Sequence, residues 1–319
     1  MVTRDNPDPG IGELGEFGLI AAMAGQMRPG PGTVVGIGDD AAVLTAPDGR
    51  VVATTDFLLE GRHFRRDWAG PADVGHRAAV RSLADVAAMG AVPTGLLLAF
   101  AAPPELPSSW AIGLAAGLAA EAERAGATVA GGDTSRFDAI ALAVTGLGDL
   151  QGRPPVTRGG ARPGDVVAVA GVLGYSAAGL ALLQAGHREP RALVTAHLRP
   201  APPYDAGPEA ARLGATALMD VSDGLLADLA HIAGASGVAV DVHPDALDPG
   251  PLRPAAEVLH ADPRDWLLTG GEDHSLVATF PPGLALPPRW RVIGEVRTGH
   301  GVLVGGRPYQ GPGGWEHFR

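Results

Sequence analysis

The chain has no cysteine. That excludes disulfides, zinc–thiolate sites and cysteine nucleophiles. It has no lysine either: all 24 basic residues are arginine. A P-loop needs the lysine of its G-x-x-x-x-G-K-[ST] run to reach the outer phosphates, and a protein kinase needs its strand lysine. Both designs are excluded. Any phosphate handled here must meet arginine, backbone N–H groups or metal ions. Hydrophobic residues make up 46% of the 319, yet no apolar run reaches the roughly 20 residues that cross a bilayer. The opening stretch, Met1 to Gly10, is polar and proline-bearing, without the basic-then-apolar order of a secretory signal. These features read as a soluble, cytoplasmic protein with no membrane partner. No basic stretch stands out, and the formal net charge is −11. A surface of that sign repels nucleic acid.

What the chain does have is glycine (47) and proline (29), well above the usual share. They are spread between periodic apolar segments and so read as many tight turns. Val34–Ile37, Ala41–Leu44 and Val51–Thr55 read as strands. Ala72 to Met89 reads as a helix, with Val74, Ala78, Leu83, Ala84 and Ala87 at helical spacing and Gly90 as its C-cap. Gly95–Ala101 is a strand, Trp110–Ala125 an alanine-rich helix, and Thr128–Ala130 and Ala139–Gly146 are strands. Gln151–Asp165 is rich in Gly, Pro and Arg and reads as a linker. Beyond it, Val166–Ala170, Val238–Val242, Ser275–Phe280 and Trp290–Ile293 read as strands, and Ser176–Gln184 and Leu225–Ala233 as helices. The order lacks a regular βαβα cadence, so the expected class is α+β. Two domains are expected, residues 1–150 and 151–319.

Aspartates next to glycine, serine or threonine are the most informative residues. They are Gly38-Asp39-Asp40, Thr54-Thr55-Asp56, Gly131-Gly132-Asp133-Thr134 and Asp220-Val221-Ser222-Asp223-Gly224. Taken singly, each reads as turn chemistry, and Asp223 as a helix N-cap. Taken together, each cluster leaves an apolar strand-like run at an element end. A set of carboxylates so placed can hold Mg²⁺, a hard cation that takes a few carboxylates plus substrate phosphates and waters. Asp85 lies within a helix. Arg77, Arg81 and Asp85 fall on one i, i+4, i+8 stripe, and from spacing alone it reads as a salt-bridge partner.

These clusters, with others, resemble the thiamine-monophosphate kinase family. The resemblance runs through Gly12-Glu13-Leu14-Gly15-Glu16-Phe17-Gly18-Leu19-Ile20, Gly36 to Ala42, Thr54-Thr55-Asp56 and Glu60-Gly61-Arg62-His63-Phe64. It continues through Ala84 to Gly90, Gly131 to Thr134, Thr157 to Asp165, Val221 to Leu225, Gly270-Gly271-Glu272-Asp273 and Gly314 to Phe318. The Gly-Asp-Asp and Gly-Gly-Asp elements are shared with the wider superfamily that includes aminoimidazole ribonucleotide synthetase and selenophosphate synthetase. The Glu-Gly-x-His-Phe element and the aromatic tail point to the thiamine branch.

The resemblance implies a reaction, ATP plus thiamine monophosphate giving thiamine diphosphate, with several Mg²⁺ ions. It implies that Asp40, Thr54, Thr55, Asp56, Asp85, Asp133, Asp220 and Asp223 bind magnesium, with Asp133 and Asp223 central to catalysis. Gly132, Asp133, Arg158 and Ser222 would contact ATP, and His63, Glu272 and Trp315 the thiamine phosphate. Asp39 has no assigned role. The implied fold is a homodimer whose N-terminal sheet-plus-helices domains pair into a barrel, each followed by an α/β sandwich-like domain. On residue type alone, His63 reads as a surface or capping histidine, Trp315 as a core plug and Glu272 as a turn residue. Three departures from the family pattern stand out: Ser82 and Ala84 before the helix aspartate, Tyr175 in the Gly-x-Ser-Ala-Ala-Gly turn, and His274-Ser275 for the usual Tyr-Glu. The alternatives are another ATP-dependent activation within the superfamily and a non-catalytic nucleotide- or metal-binding regulator.

Overall fold

The computed structural model describes residues 8–37 and 42–309. Backbone contacts divide the chain into two compact units. The first comprises the segment up to Leu83 and Pro93–Asp149; the second comprises Ala84–Val92 and the segment from Leu150 onward. Each mixes helix and sheet, as the class read from the sequence requires. None of the described helices is long and apolar enough to cross a membrane.

The first unit runs α1 (Ile11–Ala24), β1 (Thr33–Val35), β2 (Val43–Leu44), β3 (Val52–Leu59), α2 (Pro71–Ala88), β4 (Val92–Ala102), α3 (Ser108–Arg124), β5 (Thr128–Arg136) and β6 (Ala141–Asp149). β1 and β2 form a small antiparallel ladder; the other strands form a sheet of order β3-β6-β4-β5. β4 and β5 pair in parallel across the α3 crossover, and β3 and β6 pair antiparallel from Val52↔Gly148 to Leu59↔Ala141. β3 and β5 are therefore the two edges. α2 is rich in Ala and Leu, both strong helix formers, and ends at Gly90, whose φ of +74° favours glycine. One face of the sheet buries Leu58, Leu98, Phe100, Leu142 and Val144. The opposite face presents Ala53, Thr55, Phe57 and Ala99 to solvent, with Phe57 63% exposed.

The second unit runs β7 (Val166–Ala170), α4 (Tyr175–Gln184), α5 (Arg191–Leu198), α6 (Ala206–Leu213), β8 (Ala217–Val221), α7 (Leu225–Ser236), β9 (Ala239–Val242), two 3₁₀ turns, α8 (Arg253–Leu259), α9 (Pro263–Thr269), β10 (Ser275–Phe280), β11 (Trp290–Arg297), β12 (Gly301–Val304) and β13 (Arg307–Pro308). The sheet order is β13-β12-β9-β11-β7-β10-β8. β8, β9 and β10 are buried along their whole lengths. Strands covered on both faces read as continuous apolar runs, which is why Leu-Val-Ala-Thr-Phe carries no alternation. α7 packs on β8, β9 and β12, while α4 packs against α5, α8 and α9. Phe280 and Trp290 meet edge to face at 5.2 Å within this core.

Candidate functional site

Thr54, Thr55 and Asp56 were expected at an element end. They stand inside β3, because the ladder to β6 continues to Leu59. Alternation along a strand then separates them. Asp56 lies on the helix-facing side, where Ser82 Oγ of α2 sits 3.0 Å from Asp56 Oδ2 and 2.8 Å from the Val144 carbonyl. One hydroxyl proton serves one of these acceptors at a time. Arg81 Nε lies 3.7 Å from Asp56 Oδ1, so the arginine of the helical stripe leans on the strand carboxylate. Thr55 points to the open face, where its Oγ1 is 3.2 Å from that of Thr145.

Gly131, Gly132, Asp133 and Thr134 likewise lie within β5, which runs on to Arg136 beside β4. Gly132 is required by the neighbouring strand, since a Cβ there would fall 1.9 Å from the Leu98 carbonyl oxygen. The exposed Asp133 accepts the Thr134 N–H at 2.9 Å. A cavity of about 70 Å³ adjoins this segment, walled by Ile20, Met23, Leu98 and Phe100 and floored by Gly131–Thr134. β3 and β5 are opposite edges of one sheet, three strand spacings or about 14 Å apart. Asp56 and Asp133 of one chain therefore cannot hold one ion together.

His63 closes the turn after β3. Its Nδ1 accepts the Leu59 N–H at 3.0 Å, which leaves the neutral ring's proton on Nε2. The capping role read from residue type is thus filled, and the ring is fixed by it.

The second unit brings more of the set together. Asp220 is the penultimate residue of β8, and Ser222–Gly224 turn into α7. All three turn N–H groups, of Ser222, Asp223 and Gly224, donate to Asp228 Oδ2 at 3.0–3.1 Å. Asp228 is buried, and burial, with the charges of Asp220 and Asp223, pushes its carboxyl up to about 7. Nothing singled it out in the sequence, since an acid in the first turn of a helix is ordinary.

The segment Gly270–His274 lies against this turn. Glu272 N–H donates to the Ser222 carbonyl at 2.8 Å and His274 N–H to that of Val221 at 3.0 Å. Gly271 admits no side chain, since a Cβ would sit 2.1 Å from the Ser222 oxygen. Glu272 and His274 both hold left-handed backbone, at φ +65° and +53°. Such conformations persist only where the surroundings over-determine them, and they cluster at functional sites. Buried His274 places Nδ1 3.0 Å from Asp220 Oδ2. Asp273 turns the other way and accepts the N–H groups of Gly174 and Ser176 at the start of α4. Burial pushes it up to about 7, against those bonds, which favour the anion.

Arg158 is exposed. Its carbonyl accepts Ser236 Oγ at 3.1 Å, and the same hydroxyl accepts the N–H of Gly160 and Ala161, so its backbone is tied to the end of α7. Asp85 lies half-buried on α2 in the part that belongs to the second unit. Asp39, Asp40 and Trp315 lie outside the described residues. Among the described residues, one trio of potential ligands converges within 4.8 Å, and it is Asp241, His243 and Glu295 rather than any trio of the implied ligands. Arg297 already bridges the two carboxylates there, at 2.9 Å and 2.7 Å.

Comparisons with known proteins agree on one family. The model for the AIR synthase related protein N-terminal domain matches residues 38–150, and that for the C-terminal domain residues 162–302. The thiamine-monophosphate kinase of Mycobacterium tuberculosis H37Rv is 46% identical, over 100% of this chain and 97% of its own. The crystal structure of the thiamine-monophosphate kinase from Stenotrophomonas maltophilia K279a superposes with a TM-score of 0.79 at 33% identity, over 92% of this chain and 97% of that one. The structure of AaThiL complexed with AMPPCP and TMP superposes with a TM-score of 0.80 at 36% identity, over 96% of this chain and 98% of that one.

Proposed function

This chain belongs to the thiamine-monophosphate kinase family, and from that premise we infer that it phosphorylates thiamine monophosphate to thiamine diphosphate with ATP. The observation that carries this reading is the junction of Asp220–Gly224 with Gly270–His274. It sets two carboxylates beside a strained loop, in a chain that matches a kinase complexed with both an ATP analogue and TMP. We assign ATP and metal binding and dimerisation to residues 1–150, and nucleotide and substrate contacts to residues 151–319.

The donor set suits Mg²⁺. Asp220, Asp223, Asp85, Asp56, Thr54 and Asp133 offer hard oxygen ligands, with Asp40 as a further one from the sequence. In the second unit, Asp220 and Asp223 add enough negative charge to help raise Asp228, a field that a divalent cation relieves. Bound Mg²⁺ would neutralise phosphate charge and polarise the transferred group. Thr55 joins this set through its backbone, its side chain being turned to the other face.

The residues of the chain then have separate tasks. Gly132, Arg158 and Ser222 line the ATP phosphates; with no lysine present, Arg158 is the one side-chain cation among the assigned residues. Asp133 and Asp223 would hold Mg²⁺, which would supply the charge neutralisation that lets the phosphates approach one another. His63, its ring fixed by Leu59, contacts the phosphate of thiamine monophosphate. Glu272 and Trp315 complement the cationic thiazolium, Trp315 through its ring face. The acceptor phosphate oxygen is nucleophilic at neutral pH, so positioning and charge neutralisation suffice. Transfer is direct, with one inversion at phosphorus and no phosphoenzyme.

The chain acts as a homodimer in the cytoplasm, where ATP is supplied. The open face of the first sheet, with exposed Phe57 and Ala99, and its edge strands β3 and β5 support pairing with a second copy. Such pairing also supplies a second Asp133 to a site that one chain's Asp56 cannot share with its own. The test is formation of thiamine diphosphate from ATP and thiamine monophosphate, resolved by chromatography. Product should appear with Mg²⁺, vanish with chelator and return on repletion. No product at saturating Mg²⁺ would overturn the reading.

A further inference from the structure

We propose that His274 is a positioning residue for metal binding. Its ring holds one oxygen of Asp220, so that the other is presented to the cation, and thereby ties the Glu272 loop to the metal site. The proposal rests on the function inferred above and adds to it a residue where this chain departs from its family's pattern.

Three observations carry it. The first is the contact itself, His274 Nδ1 to Asp220 Oδ2 at 3.0 Å, with both residues buried. An ionised carboxylate only accepts, so Nδ1 carries the proton and the bond has one direction. The second is how firmly the ring is anchored. His274 N–H is bonded to the carbonyl of Val221, the residue after Asp220, and Leu276 pairs with Asp220 across the ladder. The imidazole is thus clamped to the same strand end whose carboxylate it meets. The third is backbone conformation. His274 holds φ +53°, which asparagine or glycine adopts more readily. Histidine is among the side chains that tolerate this region better than most, and with Glu272 also left-handed two residues away, the backbone here fixes the direction in which the imidazole leaves the chain. Outer groups of this kind orient ligating carboxylates, and their loss typically lowers metal affinity about 10–100-fold.

Asparagine and glycine both suit the left-handed backbone, but only asparagine keeps an N–H donor near the position of Nδ1. That contrast separates the hydrogen bond from the turn. Calorimetric titration of Mg²⁺ into each protein with saturating AMPPCP reads it without turnover. His274→Gly should bind Mg²⁺ about 10-fold more weakly or worse. His274→Asn should stay within about threefold of the parent. His274→Ala takes the place of the glycine variant should that not fold. Parent-like affinity in the donor-free variant, or equal weakening in both variants, would overturn the proposal. A parent that binds no Mg²⁺ with AMPPCP would overturn the underlying reading along with it.

Discussion

Asp56 and Asp133 stand partway along edge strands: Asp56 meets the Ser82 hydroxyl and Arg81 of α2, and the exposed Asp133 accepts the N–H of the next residue. Asp220 and Asp223 stand where a fully buried strand turns into a helix. There, three N–H bonds to Asp228, two backbone bonds from Glu272 and His274, and the His274 ring fix the geometry. The first region leaves an apolar sheet face open; the second is closed on itself. The contrast teaches that the carboxylates of the second unit are held in place by that unit's own backbone and side chains. The carboxylates of the first unit, by contrast, stand at the margins of a sheet whose open face is exposed.

The sharpest way to break this contrast is to remove charge from both halves. Asp133→Asn and Asp223→Asn should each lower kcat by roughly 100-fold or more, the loss of a few kcal/mol of metal-assisted stabilisation. Asp133→Asn should leave the melting temperature nearly unchanged, because that side chain is exposed. Near-parental turnover in either variant would remove that residue from the site.

Next in size is packing beneath the first half. Gly132→Ala drives a Cβ into the Leu98 carbonyl and should cost about 3 kcal/mol or more, at the upper end for overpacking. Gly131→Ala meets Leu97 Cδ2 at 3.5 Å and Ala42 Cβ at 3.9 Å, both ordinary contacts, and should cost less than about 1 kcal/mol. Denaturant melts of the pair read the difference, and equal stabilities would show that β5 yields where the structure says it cannot.

Phe57→Asp tests what covers the open face. The side chain is exposed, so the fold should survive, while light scattering should show the dimer shifted toward monomer at low micromolar concentration. An unchanged assembly would place the interface elsewhere.

The smallest effect concerns pH. Asp273 has its carboxyl raised from 3.8 to about 7 in the folded protein. The folded state then binds its proton more tightly than the unfolded chain. Its stabilising contribution is full below about 4 and is lost as pH rises toward 7. Asp273→Asn lacks that dependence. The parent's melting temperature should therefore fall by a few degrees relative to the variant's between pH 4.5 and 7.5. A constant difference would mean that Asp273 stays ionised throughout.

Much of the second core was legible in the sequence. Val166–Ala170 and Ser275–Phe280 are strands with the bounds read from their apolar runs, and α2 begins and ends within a residue of its periodic pattern. α1 was legible only as a motif, since Gly12, Gly15 and Gly18 depress helix propensity and Gly15 kinks it at φ +67°. α5, α6 and α8 are short, so their periodicity had too few turns to register. At the site, the aspartates drew notice by their company of small residues, but their place within strands did not. Glycine reads as a strand end, whereas Gly132 is there because β4 presses on it. Asp228 drew no notice, and His274 drew it only as a departure from the family pattern, for a different reason. Their partners, Ser222–Gly224 and Asp220, are set by tertiary packing, which no local spacing encodes.

The placement of β3 at the sheet edge also bears on synthesis. Its one strand neighbour among the described elements is β6, and Thr55 and Thr145 are 90 positions apart. A ribosome adding roughly 5–20 residues per second makes β6 several seconds after β3. Throughout that interval the strand bearing Thr54 and Asp56 has no ladder to join, and exposes Phe57 to any passing edge. β7 waits longer still, since both of its neighbours, β10 and β11, begin more than a hundred residues downstream. Long-range pairing of this kind makes closure of both sheets a late event, so nascent chains, more than finished ones, are where this fold is open to capture by chaperones or by one another.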